Sequence, residues 1–114
     1  MPKNKIRTIV IDPFKRTVEE TYIESDLLAY YKAINCSYIE GAYPEFLSNR
    51  KHFMYVDEEG MLKKDQKFFH IASGLQPYAG IALVLKYEGE GNDTGCTIPL
   101  KAIQDVVLFP PLTT

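Results

Sequence analysis

Apolar and polar positions alternate along most of this chain with the period of strands. One stretch follows the period of a helix. "KIRTIVID", Lys5 to Asp12, ends in β-branched residues, and Ile9, Val10 and Ile11 point to both faces of a sheet. That pattern predicts an inner strand. "DPFKR" then reads as a turn, with Pro13 fixing φ and Asp12 able to accept bonds from the backbone ahead. "TVEETYIE", Thr17 to Glu24, is a more polar return strand, suited to an edge. The two strands predict an antiparallel hairpin.

"SDLLAYYKAIN" predicts the main helix, with Ser25 as N-cap and Asn35 as its stop. Leu27, Leu28, Tyr31 and Ile34 would form its buried face. "CSYIEGAY" is a third strand, "PEFLSNRK" a loop, and "HFMYVD" a fourth strand. In that fourth strand Phe53 and Tyr55 share one side, Met54 and Val56 the other. "DEEG" after it predicts a hairpin turn with glycine in the left-handed region, and Leu62 on the return. "KKDQKFFHIASGLQPYAG" fits a strand at "KFFHIA" or an irregular loop. "IALVLKYE" is a strand with Ile81, Leu83, Leu85 and Tyr87 on one face and Ala82 and Val84 on the other. "GEGNDTG" is a tip and "CTI" its return. "PLKAIQD" is a short helix and "VVLF" a last strand.

The fold class is therefore α+β. A mostly antiparallel sheet carries one main helix on one face, with a second short helix near the C-terminus. The other face, with its exposed-looking aromatics, is expected to be covered by a partner chain or by the Phe68–Tyr78 loop. At 114 residues the chain is the size of one domain, 1–114.

Composition narrows the function. The net charge of −2 gives no field toward nucleic acid or an anionic membrane, so both are disfavoured as partners. The longest apolar run, "AGIALVL", is too short to cross a bilayer. "MPKNKIRTIVID" turns polar before a secretion signal could form, which makes the cytosol the expected compartment. Cys36 and Cys96 are isolated in sequence and no histidine stands at ligand spacing, so neither metal nor cofactor is expected. The two thiols read as buried or half-buried.

Catalytic patterns are weak. Asp57, Glu58 and Glu59 are adjacent, so in a turn they diverge instead of flanking one bond; they read as a solvated tip. Cys36 follows a helix C-terminus, the wrong end to activate a thiol. His52 and His70 lie among aromatic and apolar neighbours. Anion binding is the livelier chemistry. Arg50, Lys51 and His52 form one basic run, and Lys63, Lys64 and Lys67 another. If "DEEG" closes a hairpin, both runs meet at one end of it. Tyr55, Phe69 and Tyr78 would add stacking surfaces. Cations with aromatic planes suit a nucleotide, charge for phosphate and a π-face for the base. The bland alternative is a lysine-guarded sheet edge.

"TIVIDPFKRTVEETYI", "YIEGA", "YVDEEGMLK", "AGIALVLKYEGE" and "IPLKAIQDVVLF" together resemble a family of short proteins of unknown function from phages, plasmids and related mobile elements. The I-D-P opening and the D-E-E-G-x-L-K turn are its more specific parts. The middle departs from it: "KDQKFFHIASGLQPY" stands where the family tends to a glycine, proline and asparagine segment. The resemblance implies a compact α+β domain in a mobile-element setting and transfers no catalytic residue.

Three functions follow as expectations. The first is a non-enzymatic binding module, a homo-oligomer, sequestering a small anionic ligand such as a nucleotide. The second is an adaptor or inhibitor that binds a host protein through an exposed aromatic sheet face. The third is a small hydrolase with His52 or His70 as base.

Overall fold

The computed structural model describes residues 5–71, 74, 76–88 and 93–110. The first hairpin forms as its pattern predicts. β1 (Lys5–Asp12) pairs antiparallel with β2 (Thr17–Glu24) along its full length. The turn is closed by Asp12, whose Oδ1 accepts from the backbone N–H of Phe14 (2.9 Å) and Lys15 (3.2 Å). Arg16 completes it with φ 57°.

The main helix α1 (Leu27–Ile34) is capped one residue later than expected. Asp26, not Ser25, accepts from the backbone N–H of Ala29. Asn35 ends the helix in the left-handed conformation, as predicted. The buried face is also rotated. Tyr30 and Ile34, one turn apart, carry the packing, while Leu27 and Leu28 stand exposed. A face with a Tyr–Ile pair four apart wins because both side chains reach the sheet from the same side.

β3 (Ile39–Ala42) and β4 (His52–Asp57) form a hairpin whose connection holds a one-turn helix, α2 (Glu45–Ser48), where a loop was expected. Pro44 opens it, and Leu47 anchors it in the core. After β4 come a 3₁₀ turn (Gly60–Leu62), then β5 (Phe68–Ile71), β6 (Tyr78–Ala79), β7 (Ala82–Tyr87), β8 (Asp93–Thr94), α3 (Leu100–Val106) and β9 (Val107–Leu108).

Two sheets result. The larger has the order β2-β1-β7-β4-β3, with β8 added on β7, and every pairing is antiparallel. The smaller has the order β6-β5-β9. β7 lies at the centre, which explains why Ala82 to Leu85 are all buried. Val10, Phe53, Tyr55, Leu83 and Leu85 face α1. Ile9, Ile11, Met54, Val56, Ala82 and Val84 face α2, α3 and the smaller sheet. The chain thus covers both faces itself, through Phe69, Ile71, Leu47 and Ile103 on the second side. The face that sequence patterning left to a partner chain or the Phe68–Tyr78 segment is covered, among the described residues, by β5, Tyr78, α2 and α3. The tip at 89–92 and part of the "HIASGL" segment lie outside the described residues. No described helix is long and apolar enough to cross a membrane.

Candidate functional site

The predicted hairpin through "DEEG" does not form. β4 is already flanked on both edges, by β3 and by β7, so a return strand past Leu62 has no free edge. The chain instead leaves Asp57 through the 3₁₀ turn and joins the smaller sheet. Gly60 does not have a positive φ. It is needed for space: a Cβ there would lie 3.1 Å from the Ala79 carbonyl oxygen. The two basic runs consequently sit at opposite ends of β4. Six residues of strand, about 20 Å, separate them.

Most of the nine predicted residues disperse. His52 is buried, with Nδ1 2.7 Å from the Arg50 carbonyl and Nε2 3.0 Å from the Thr97 backbone nitrogen. Because Nε2 accepts from the Thr97 N–H, Nδ1 carries the proton in the neutral ring. Burial pushes its pKa down, and the charges of Lys86 and Arg7 push the same way. Both ring nitrogens are engaged, so neither serves as a base. Tyr55 packs edge-on against Phe53 and donates to Asp93, at 2.5 Å. Burial and that carboxylate raise its pKa. Phe69 is 0% exposed and fills the core, where no ligand stacks on it. Lys51 has φ 59° and lines a shallow groove with Lys86 and Tyr87. Lys64 and Lys67 are exposed and form no ion pair among the described residues.

Arg50 and Tyr78 are the two that come together. They line one cleft of about 570 Å³ with Phe46, Asn49, Gln76 and Glu45 among its other walls. The Arg50 guanidinium lies 3.9 Å above the Phe46 ring centroid, and Nη1 donates to the Phe46 carbonyl at 2.7 Å. Ring and carbonyl fix the plane of the cation. Arg50 forms no ion pair among the described residues. The Tyr78 ring rests on Phe69, centroids 5.6 Å apart, and partial burial raises the pKa of its hydroxyl.

A second cleft, of about 330 Å³, lies at the other end of β4. Asp12 closes its turn as the sequence predicts, and Glu58 and Glu59 are exposed as expected; Asp57 alone was misread. Asp57 is not part of a solvated tip. It is 7% exposed, and Oδ1 accepts from the Glu59 backbone N–H at 2.9 Å. Its Oδ2 pairs with Lys63 Nζ at 2.5 Å, which raises the lysine pKa. Lys63 Nζ also reaches the Asn35 carbonyl oxygen, at 3.3 Å. Asp12 is 8% exposed and lines the same cleft. Strand register explains the meeting. One step beyond the Ile11–Ala82 pair, Asp12 falls opposite Ile81; two steps beyond Tyr55–Leu83, Asp57 falls opposite Ile81 from the other side. Their backbones are thus about 10 Å apart, two strand spacings. The available signal was positional: each acid ends an apolar strand and precedes a turn. It could not pair them without the strand order.

The thiols offer no nucleophile. Cys96 is buried and Cys36 half-buried, and burial is the main cause raising both pKa values. Among the described residues no group of three or more His, Cys, Asp or Glu side chains could hold a metal ion.

Residues 6–107 match the family model described as Domain of unknown function (DUF3846), and the chain belongs to that family. Nothing among curated proteins or solved structures matches it.

Proposed function

We propose that this member of the DUF3846 family is a non-enzymatic binding module, carried by mobile elements, that holds a small anionic ligand such as a nucleotide. The observation that carries this reading is Arg50. Its guanidinium lies over the Phe46 ring and is bonded to the Phe46 carbonyl, yet it forms no ion pair among the described residues, although Glu45 shares the cleft. A planar fork immobilised before binding loses less entropy when it meets a phosphate or carboxylate. Tyr78 and Asn49 in the same cleft add hydrogen-bonding groups. The site is smaller than the sequence suggested: Lys63, Lys64, Lys67, Tyr55 and Phe69 stand outside it.

Native mass spectrometry of the protein purified from bacteria tests this, followed by analysis of small molecules released on denaturation. A stoichiometric nucleotide-like ligand, lost in Arg50→Glu at unchanged thermal stability, supports the site. Unchanged affinity in Arg50→Glu sinks it.

One observation favours the adaptor reading as a second possibility, on a different surface. The aromatic sheet face is covered, but Phe14, Tyr38, Met61 and Leu62 are exposed on the turns and chain segments flanking the ends of β1 and β4. An adaptor of that kind would lose its partner in Leu62→Ser and ignore Arg50→Glu.

A further inference from the structure

The cleft at the far end of β4 has a different electrical character. Asp12, Asp57 and Ile81 fall at equivalent steps of three neighbouring strands, on the face covered by α1. The C-terminal end of α1, at Ile34 and Asn35, forms another wall. A helix C-terminus carries partial negative charge from its unbonded carbonyls, and cations are stabilised there. Two nearly buried carboxylates and a helix C-terminus therefore converge on one space.

Two lysines line this cleft, and Lys15 forms no ion pair among the described residues, whereas Lys63 is placed in the field. Lys63 Nζ bridges Asp57 Oδ2 and the Asn35 carbonyl. Asp12 has no such counterpart. Its Oδ1 is turned back to the amides of Phe14 and Lys15, and its Oδ2 takes no partner among the described residues. No buried side-chain oxygen in the described structure lacks a partner, so Oδ2 is not sealed in protein but keeps contact with solvent, and Asp12 lines the cleft. A carboxylate nine-tenths withdrawn from water, with one open oxygen, favours a charged donor over water. Phe14, Ile34 and Ile81 supply apolar walls beside it. The volume of about 330 Å³ admits a small molecule and little more.

We infer that this cleft is a second binding site, which takes a primary ammonium group on Asp12 Oδ2 and a small apolar body against Phe14 and Ile81. The ligand class is a free small amine, opposite in charge to the ligand of the Arg50 cleft. The two sites lie a full strand length apart, so one can fail without the other.

The test titrates the ¹⁵N-labelled protein with 2-phenylethylamine and, separately, with its N-acetyl derivative, which keeps the body and removes the cation. The amine is expected to shift the backbone amides of Phe14, Lys15, Gly80 and Ile81, and the acetamide is not. Asp12→Asn retains the Oδ1 acceptor for the turn while removing the charge, and should weaken amine binding roughly tenfold or more. Lys15→Met should leave binding equal or tighter, since it removes an ammonium that lines the cleft beside Lys63 and can compete for Asp12. Equal shifts with amine and acetamide, no shifts with either, or unchanged affinity in a folded Asp12→Asn each overturn the inference. So does loss of amine binding in Lys15→Met.

Discussion

The two ends of β4 differ in how they handle charge. At its start, Arg50 stands in solvent with its cation over an aromatic ring and in no ion pair among the described residues. At its end, Asp57 is 7% exposed, and both carboxylate oxygens are committed to protein partners. The same strand thus presents an open cation at one end and a closed acid at the other. The cause lies in what surrounds each end. α2 and an open cleft border the start, whereas α1, the first turn and the 3₁₀ turn close over the end. Asp57, nearly buried, holds the fold only with both oxygens satisfied, whereas the rim cation Arg50 is free to serve a ligand.

The contrast is tested most severely by truncating both ends. Asp57→Ala removes the acceptor for the Glu59 amide and the partner of Lys63, and should cost about 2–3 kcal/mol in urea denaturation. Arg50→Ala should cost less than about 1 kcal/mol in the same measurement. Equal losses would end the distinction between a structural acid and a functional cation.

His52 gives the next largest effect and adds pH. Its folded pKa lies below the usual value, mainly through burial, so the unfolded chain binds a proton more readily. Stability is therefore full above about pH 6.5 and falls as pH drops below it. His52→Gln should be less stable at neutral pH, by about 1–2 kcal/mol for its lost hydrogen bonds, but flatter in acid. Denaturation between pH 5 and 8 separates the two; an unchanged acid slope would remove His52 as its source.

Gly60→Ala follows, at about 1 kcal/mol, because the new methyl meets the Ala79 backbone. Lys63→Met is of similar size. Its side chain is 44% exposed, which screens the cation, but its loss leaves the nearly buried Asp57 Oδ2 without its partner, so the cost should be about 1 kcal/mol. Lys64→Glu should change neither stability nor ligand binding measurably. Any binding loss there would revive a basic site at the Asp57 end.

Much of the fold was legible because periodicity is local. The β1–β2 hairpin, the Asp12 turn, the Asn35 stop and the two-sided burial of β4 and β7 all follow from neighbours in sequence. Ile34 was placed correctly on the helix's buried face, but Leu27 and Leu28 were put there for their apolarity, whereas Tyr30 is the residue aimed at the sheet with Ile34. The candidate site was legible only in part. Arg50 and Tyr78 were named and do share a cleft, but the hairpin expected to gather the lysines needed a free edge on β4.

What the sequence determined by itself was the set of elements, their alternating faces and the α+β class, since side-chain period and turn chemistry act over a few residues. Tertiary structure decided which strand lies beside which. With β7 inserted between β1 and β4, Asp12 and Asp57, forty-five positions apart in the chain, flank one residue, Ile81. Lys63 crosses to the end of α1, and the two basic runs part. Strand order is a non-local choice, set by which apolar faces bury each other best, and a local pattern does not contain it.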